Sequence, residues 1–188
     1  VQDWADPTPD EIVEWVMAPP SADAKHRRES VLRRFYRHAY THRWIPDSHV
    51  GLVPSVRGSN KSPKPIPNRD LIRGLTRSDP QMRRAIMLGR YGGLRASEIA
   101  AVHSDHIRGG VLYVLGKGGK ERWIPAHDEV IRAIGGTSGF LFPARGGGHM
   151  TGHTMSRKLA AVLPGRWTAH SLRHACATEL YEATGDLA

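Results

Sequence analysis

Apolar residues recur every three or four positions through much of this chain, the spacing of one face of a helix. Ile12, Val13 and Val16 form the first such set. Thr8 can cap that helix, Pro9 suits its first position, Glu11 completes a capping box, and Pro19-Pro20 ends it. Ala24, Arg28, Val31, Phe35 and Ala39 form a second stripe, widened by Leu32, Tyr36 and Tyr40. Further helices are predicted from Asp79-Pro80 through Met82, Ala85, Ile86 and Leu88, and from Ser97 to Val102. Others follow from Asp128 to Ile134, around Met155, Leu159 and Val162, and from about Ala169 to Ala183. Two runs, Val111-Leu112-Tyr113-Val114-Leu115 and Arg122-Trp123-Ile124, read as strands, with Gly116 to Lys120 as the hairpin tip between them. The pattern predicts a mainly α fold with a small antiparallel β-sheet, an α+β chain.

Between the second helix and Asp79 the pattern lapses. Gly51, Pro54, Gly58, Ser59, Asn60, Ser62, Pro63, Pro65 and Pro67 crowd together with Arg57, Lys61 and Lys64. Residues 51–68 therefore read as a basic linker. It would separate a helical, partial domain at 1–50 from a larger domain at 69–188. Two helices bury little on their own, so the first part reads as the remainder of a larger helical domain.

Charge sharpens this picture. The 188 residues hold 27 Lys+Arg against 18 Asp+Glu, a net +9. Residues 1–24 carry six acids and no Lys or Arg, whereas Lys25, Arg27, Arg28, Arg33, Arg34, Arg37 and Arg43 fall within the next nineteen. Most of these bases lie off the apolar stripe. Such a helix suits a phosphate backbone, because each contact releases condensed counterions; a merely solvated face is the plainer alternative. The single cysteine, Cys176, excludes an internal disulfide and Cys-rich zinc cages. No apolar run approaches the ~18 residues of a membrane span. The acidic, polar start is unlike a signal peptide, so the expectation is a cytoplasmic protein with no membrane partner.

Several chemical motifs fail on inspection. Gly116-Lys117-Gly118-Gly119-Lys120 lacks the residue order of a phosphate loop, and Glu121 stands where Ser or Thr would bind magnesium. The pairs His38/His42, His149/His153 and His170/His174 have i, i+4 spacing but lack the glutamate of a zinc-protease motif. Ser97 lacks the Gly-x-Ser-x-Gly turn of a hydrolase nucleophile. Two stretches remain. Gly92-Gly93-Leu94-Arg95-Ala96-Ser97-Glu98-Ile99 places an arginine after a tight turn and just before a helix. His170-Ser171-Leu172-Arg173-His174 puts His170 and Arg173 on one helical face.

These two stretches, with Leu-Gly-Lys-Gly-Gly-Lys-Glu-Arg and Phe142-Pro143 between them, resemble the tyrosine recombinase (phage integrase) family. The motifs stand in the family's order, from about residue 65 to 188. The resemblance implies a DNA strand transferase of phage-integrase type that works through a 3′-phosphotyrosyl intermediate without metal or nucleotide cofactor. It implies Arg95 and Arg173 as a phosphate clamp, His170 as a group that hydrogen-bonds the phosphate and assists proton transfer, and Lys117 as the acid that protonates the leaving 5′ oxygen. Lys120 and Arg122 would hold the DNA backbone, together with Lys25, Arg27, Arg28, Arg33, Arg34 and Arg37. Fixed guanidiniums suit a transition state of extra negative charge. Duplex DNA is the implied partner and a homo-tetramer on DNA the implied assembly.

The nucleophile departs from the family's pattern. Only Tyr181 follows Arg173, in the same helix, and reads as a packing residue. The expectation is a piece of a longer enzyme, incomplete at both ends and inactive in cleavage without its tyrosine. Alternatives are a non-catalytic DNA-binding relative, a Xer- or transposon-type recombinase with another role, and, on charge alone, an RNA-binding protein.

Overall fold

The structure, a computed structural model, describes residues 7–59, 64–116 and 118–185. The chain divides into two compact units, Val1–Ser62 and Pro63–Ala188.

The first unit holds α1 (Pro9–Met17), α2 (Ala22–Thr41) and a 3-10 turn at His49–Leu52. Thr8 and Glu11 form the reciprocal cap that the sequence predicts for α1. The apolar face of α2 differs in phase from the expected stripe. Leu32, Tyr36 and Ala39 are buried with Ile12, Val16, Ile45 and Val53, while Val31 and Phe35 are 57% and 43% exposed. Both sets have helical spacing, so periodicity alone does not choose between them. Contact with α1 and with Ile45 and Val53 decides it.

Parts of the stretch 51–68 are packed. Val53 is buried in the first unit, Val56 packs against it, and Ile66 belongs to the core of the second. The backbone N–H and hydroxyl of Ser59 both donate to the carboxylate of Asp23. The unstructured-looking composition of 51–68 therefore hides apolar anchors at either end.

The second unit holds α3 (Asn68–Arg77), α4 (Pro80–Tyr91), α5 (Ala96–Ala100), β1 (Ile107–Arg108), β2 (Val111–Leu115), β3 (Glu121–Pro125), α6 (Asp128–Ile134), α7 (Gly152–Val162) and α8 (Ala169–Thr184). Helix α3 is absent from the sequence-based expectation. The strands form an antiparallel sheet in the order β1-β2-β3, with Tyr113 opposite Trp123. The unit is mostly helical around that sheet, as the pattern predicts. Helix α4 is its centre: Asp79 caps it by accepting from the Met82 N–H, and Ala85, Ile86 and Leu88 are fully buried. It packs against α6 and α8, while α5 packs against α7. That last contact is close, because a Cβ on Gly152 would stand 2.8 Å from the Cα of Ser97. Gly92 ends α4 and Gly93 turns the chain at φ +61°, a conformation glycine adopts without strain. The turn delivers Arg95 to the start of α5.

Candidate functional site

A cleft of about 520 Å³ lies where three helices begin. Arg95, Ala96 and Ser97 come from the start of α5, Gly152, His153 and Ser156 from α7, and Thr168, Ala169, His170 and Arg173 from α8. Helix N-termini present backbone N–H groups with no intrahelical partner and a positive dipole end. Thr168 caps α8 without a side-chain hydrogen bond to the helix. Two guanidiniums and this arrangement of helix ends favour an anion with several oxygens.

Arg95 and Arg173 are 78 positions apart in sequence, and Glu98 draws them together. Its side chain is 1% exposed. Its carboxylate accepts a two-pronged pair from Arg122, at 2.9 and 2.8 Å. It also accepts from the Arg95 guanidinium at 3.0 Å and from the Arg95 backbone N–H at 2.8 Å. Arg173 Nη1 stands 4.0 Å away and donates to the Gly93 carbonyl at 2.6 Å. Burial works to raise the Glu98 pKa. The Arg122 fork, then the Arg95 amide and guanidinium, outweigh it and hold the carboxyl at about 2. Glu98 is thus a fixed anion at the base of a cationic cleft. Burial, and next the nearby Arg95, draw the Arg173 guanidinium below the usual arginine value.

The structure brings Arg95, His170 and Arg173 to one cleft. Lys117 lies outside the described residues. Beside it, the Gly116 N–H donates to the Lys120 carbonyl at 2.7 Å, and the Lys120 side chain is exposed. Arg122 faces Glu98 rather than solvent alone. Tyr181 is 47% exposed, which corrects its reading as a packing residue, and it is not among the residues lining the cleft. Glu98 escaped the sequence reading. Its signal was present: a glutamate three residues after a helix-capping position, here reaching back to the Arg95 N–H.

The bases of α2 separate into two groups. Arg27, Arg34 and Arg37 are exposed, and Lys25 is half-buried. Arg28 donates to the Trp15 carbonyl at 2.6 Å and lies over the Trp15 ring. Arg33 binds Glu29 at 3.0 Å and the carbonyls of Val50 and Val53 at 3.3 and 2.7 Å. Arg28 and Arg33 therefore hold the first unit together, a commitment that their place in the run of bases did not reveal. No group of three or more His, Cys, Asp or Glu side chains among the described residues is arranged to hold a metal ion. No described helix is long and apolar enough to cross a membrane.

Comparison with known proteins follows the same residues. The model of the phage integrase family matches residues 70–188, more than half of the chain. The chain belongs to the phage integrase family. Among similar proteins, tyrosine recombinase XerD of Vibrio cholerae serotype O1 is 29% identical over 191 residues, covering 87% of this chain and 63% of that protein. Tyrosine recombinase XerD of Proteus mirabilis is 31% identical over 193 residues, covering 88% of this chain and 62% of the relative. This integrase-family chain thus spans under two thirds of the length of these curated relatives. Its fold is that of a lambda integrase tetramer bound to a Holliday junction, with a TM-score of 0.71 and 21% identity, covering 96% of this chain and 61% of that one.

Proposed function

We propose that this integrase-family chain carries the phosphate-binding centre of a site-specific DNA recombinase. The observation that supports it most is the convergence of Arg95, His170 and Arg173 on one cleft at three helix N-termini. In the proposed reaction a tyrosine hydroxyl attacks a backbone phosphorus. The P–O bond to the 5′ oxygen breaks, and a 3′-phosphotyrosyl link forms. The tyrosine gives up its proton, and the departing 5′ oxygen gains one from Lys117. Reversal by a DNA hydroxyl reseals the strand, so bond energy is retained and no cofactor is needed. Arg95 and Arg173 would hold the non-bridging oxygens where negative charge grows. Glu98 holds the Arg95 side chain, and the Gly93 carbonyl holds that of Arg173. The attacking tyrosine is assigned to a segment other than the cleft's own lining, from the same protein or a neighbouring protomer.

The exposed Arg27, Arg34 and Arg37, with Lys25 and Lys120, are proposed to grip duplex DNA. A homo-tetramer on DNA fits the lambda integrase assembly to which the fold is similar. A phage-integration role is the reading that the family resemblance supports. A Xer-type role is the second reading, favoured by the XerD relatives.

The test uses the full-length protein on nicked duplexes drawn from the DNA flanking its gene. The expected result is a covalent protein–DNA adduct. Arg173→Ala should abolish the adduct while changing duplex affinity by less than about tenfold, since one phosphate contact carries only a share of binding. Duplex binding with no adduct from the unmodified protein would leave a non-catalytic DNA-binding relative in place of the enzyme.

A further inference from the structure

His170 does not face the cleft alone. One turn further along α8, the Nε2 of His174 stands 2.8 Å from the Nε2 of His170, with ring centroids 4.1 Å apart. Two imidazole nitrogens at that distance need exactly one proton between them. Two protons would collide, and two lone pairs would repel. The pair therefore links the tautomers of both rings. With its Nε2 engaged, His170 has only Nδ1 left to offer a ligand. None of the other described residues hydrogen-bonds that ring.

We infer that His174 is a positioning residue: by occupying Nε2 of His170, it fixes that ring as the Nδ1–H tautomer and presents Nδ1–H to an anion in the cleft. The direction of the shared bond follows from the surroundings. His174 is partly buried and next to Arg173, and burial first, then His170 and Arg173, lower its basicity. His170 is the exposed ring of the two and His174 the partly buried one beside Arg173, so His174 Nε2–H is taken to donate to His170 Nε2. The charged groups around the pair are Arg173 on α8 itself, Arg95 with Glu98 at the start of α5, and His153 on α7 across the cleft. Both arginines disfavour a positive charge on the pair, and the fixed Glu98 carboxylate opposes them from 4.0 Å behind Arg173. The result is a histidine with a committed donor, aimed to hold a phosphate oxygen.

This assignment deepens the phosphate-cleft reading and rests on it for its purpose, but it can be measured without DNA cleavage. Long-range proton–nitrogen NMR of the chain labelled with 15N-histidine reports which ring nitrogen of His170 carries the proton. The expected result for the neutral ring is Nδ1–H. His174→Phe, which removes the partner, should return His170 to the Nε2–H tautomer that free histidine favours. His174→Gln, whose amide can donate to the same nitrogen, should retain Nδ1–H. An Nε2–H tautomer in the unmodified chain, or one unchanged by His174→Phe in a folded variant, overturns the inference; if the Phe variant does not fold, loss of Nδ1–H in the Gln variant overturns it. In the full-length protein the same logic predicts about a tenfold slower adduct formation for His174→Phe, with recovery in His174→Gln. Inorganic phosphate titrated into the unmodified chain separates the two readings. A Nδ1 resonance that carries the proton but does not move with phosphate removes the phosphate-cleft reading and leaves the histidine pair as described.

Discussion

At the scale of the residue, Glu98 governs the site. Its folded pKa of about 2 lies well below the ordinary 4.5. Its contribution to stability is therefore complete above pH 4.5 and is lost as the pH falls from 4.5 toward 2. That difference corresponds to about 3 kcal/mol at neutral pH. Glu98→Gln should lower the unfolding free energy by roughly that amount at pH 7, and the gap between variant and parent should close as pH approaches 2. Urea midpoints at pH 7, 4 and 2.5 measure it; an equal gap at all three would show that the carboxylate does not carry the effect. Arginines were the legible part of this site, because a guanidinium next to a glycine turn or in a His-x-x-Arg pattern has a recognisable purpose. A lone glutamate beside apolar Ile99 and Ala100 reads as the polar edge of a short helix. Its three arginine partners come from positions 95, 122 and 173, and only folding assembles them.

At the scale of the element, caps and breakers were the dependable signals. Thr8, Asp79 and Thr151 cap α1, α4 and α7 by accepting from the N–H three residues on, and Pro9 and Pro80 open two of these helices. Helix α3 was missed for a physical reason. It has no side-chain cap, Gly74 sits in its middle, and four bases and acids surround its few apolar positions. A Cβ there would stand 2.8 Å from the end of the Leu163 side chain, which would have to shift. The same argument at Gly152 bears on function. Its Cβ would meet the backbone of Ser97, so the two cleft-forming helices cannot both keep their places. Gly152→Val should cost about 1–3 kcal/mol of stability and lower phosphate affinity in the cleft, whereas Gly146→Val, with open space around it, should do neither. Thermal melts and phosphate titration of both variants test this.

At the scale of the whole molecule, the net charge of +9 means less than its allocation. Arg28 and Arg33 are bound to carbonyls and a carboxylate within their unit, and Arg122 to Glu98. Summed charge cannot distinguish these structural cations from exposed ones. Arg27, Arg34 and Arg37 are the α2 arginines open to a polyanion. Replacing all three with alanine should flatten the dependence of log K on log salt for duplex DNA by up to about 2.7, at about 0.9 per phosphate contact. Replacing Arg33 should instead destabilise the unit and leave that slope unchanged. A triple variant with the parent's slope would remove this face of α2 from the DNA-binding proposal.

The bond from Arg173 to the Gly93 carbonyl spans 80 positions of chain. Its consequence belongs to biosynthesis. Chains fold from the N-terminus as they are made, and closing so long a loop carries an entropy cost that packing of the intervening core must offset first. A nascent chain presents Arg95 and Glu98 long before Arg173 exists. Until α8 has been synthesised and docked on α4, no cleft can form, and an unfinished chain on the ribosome has cations but no cleft in which to gather them.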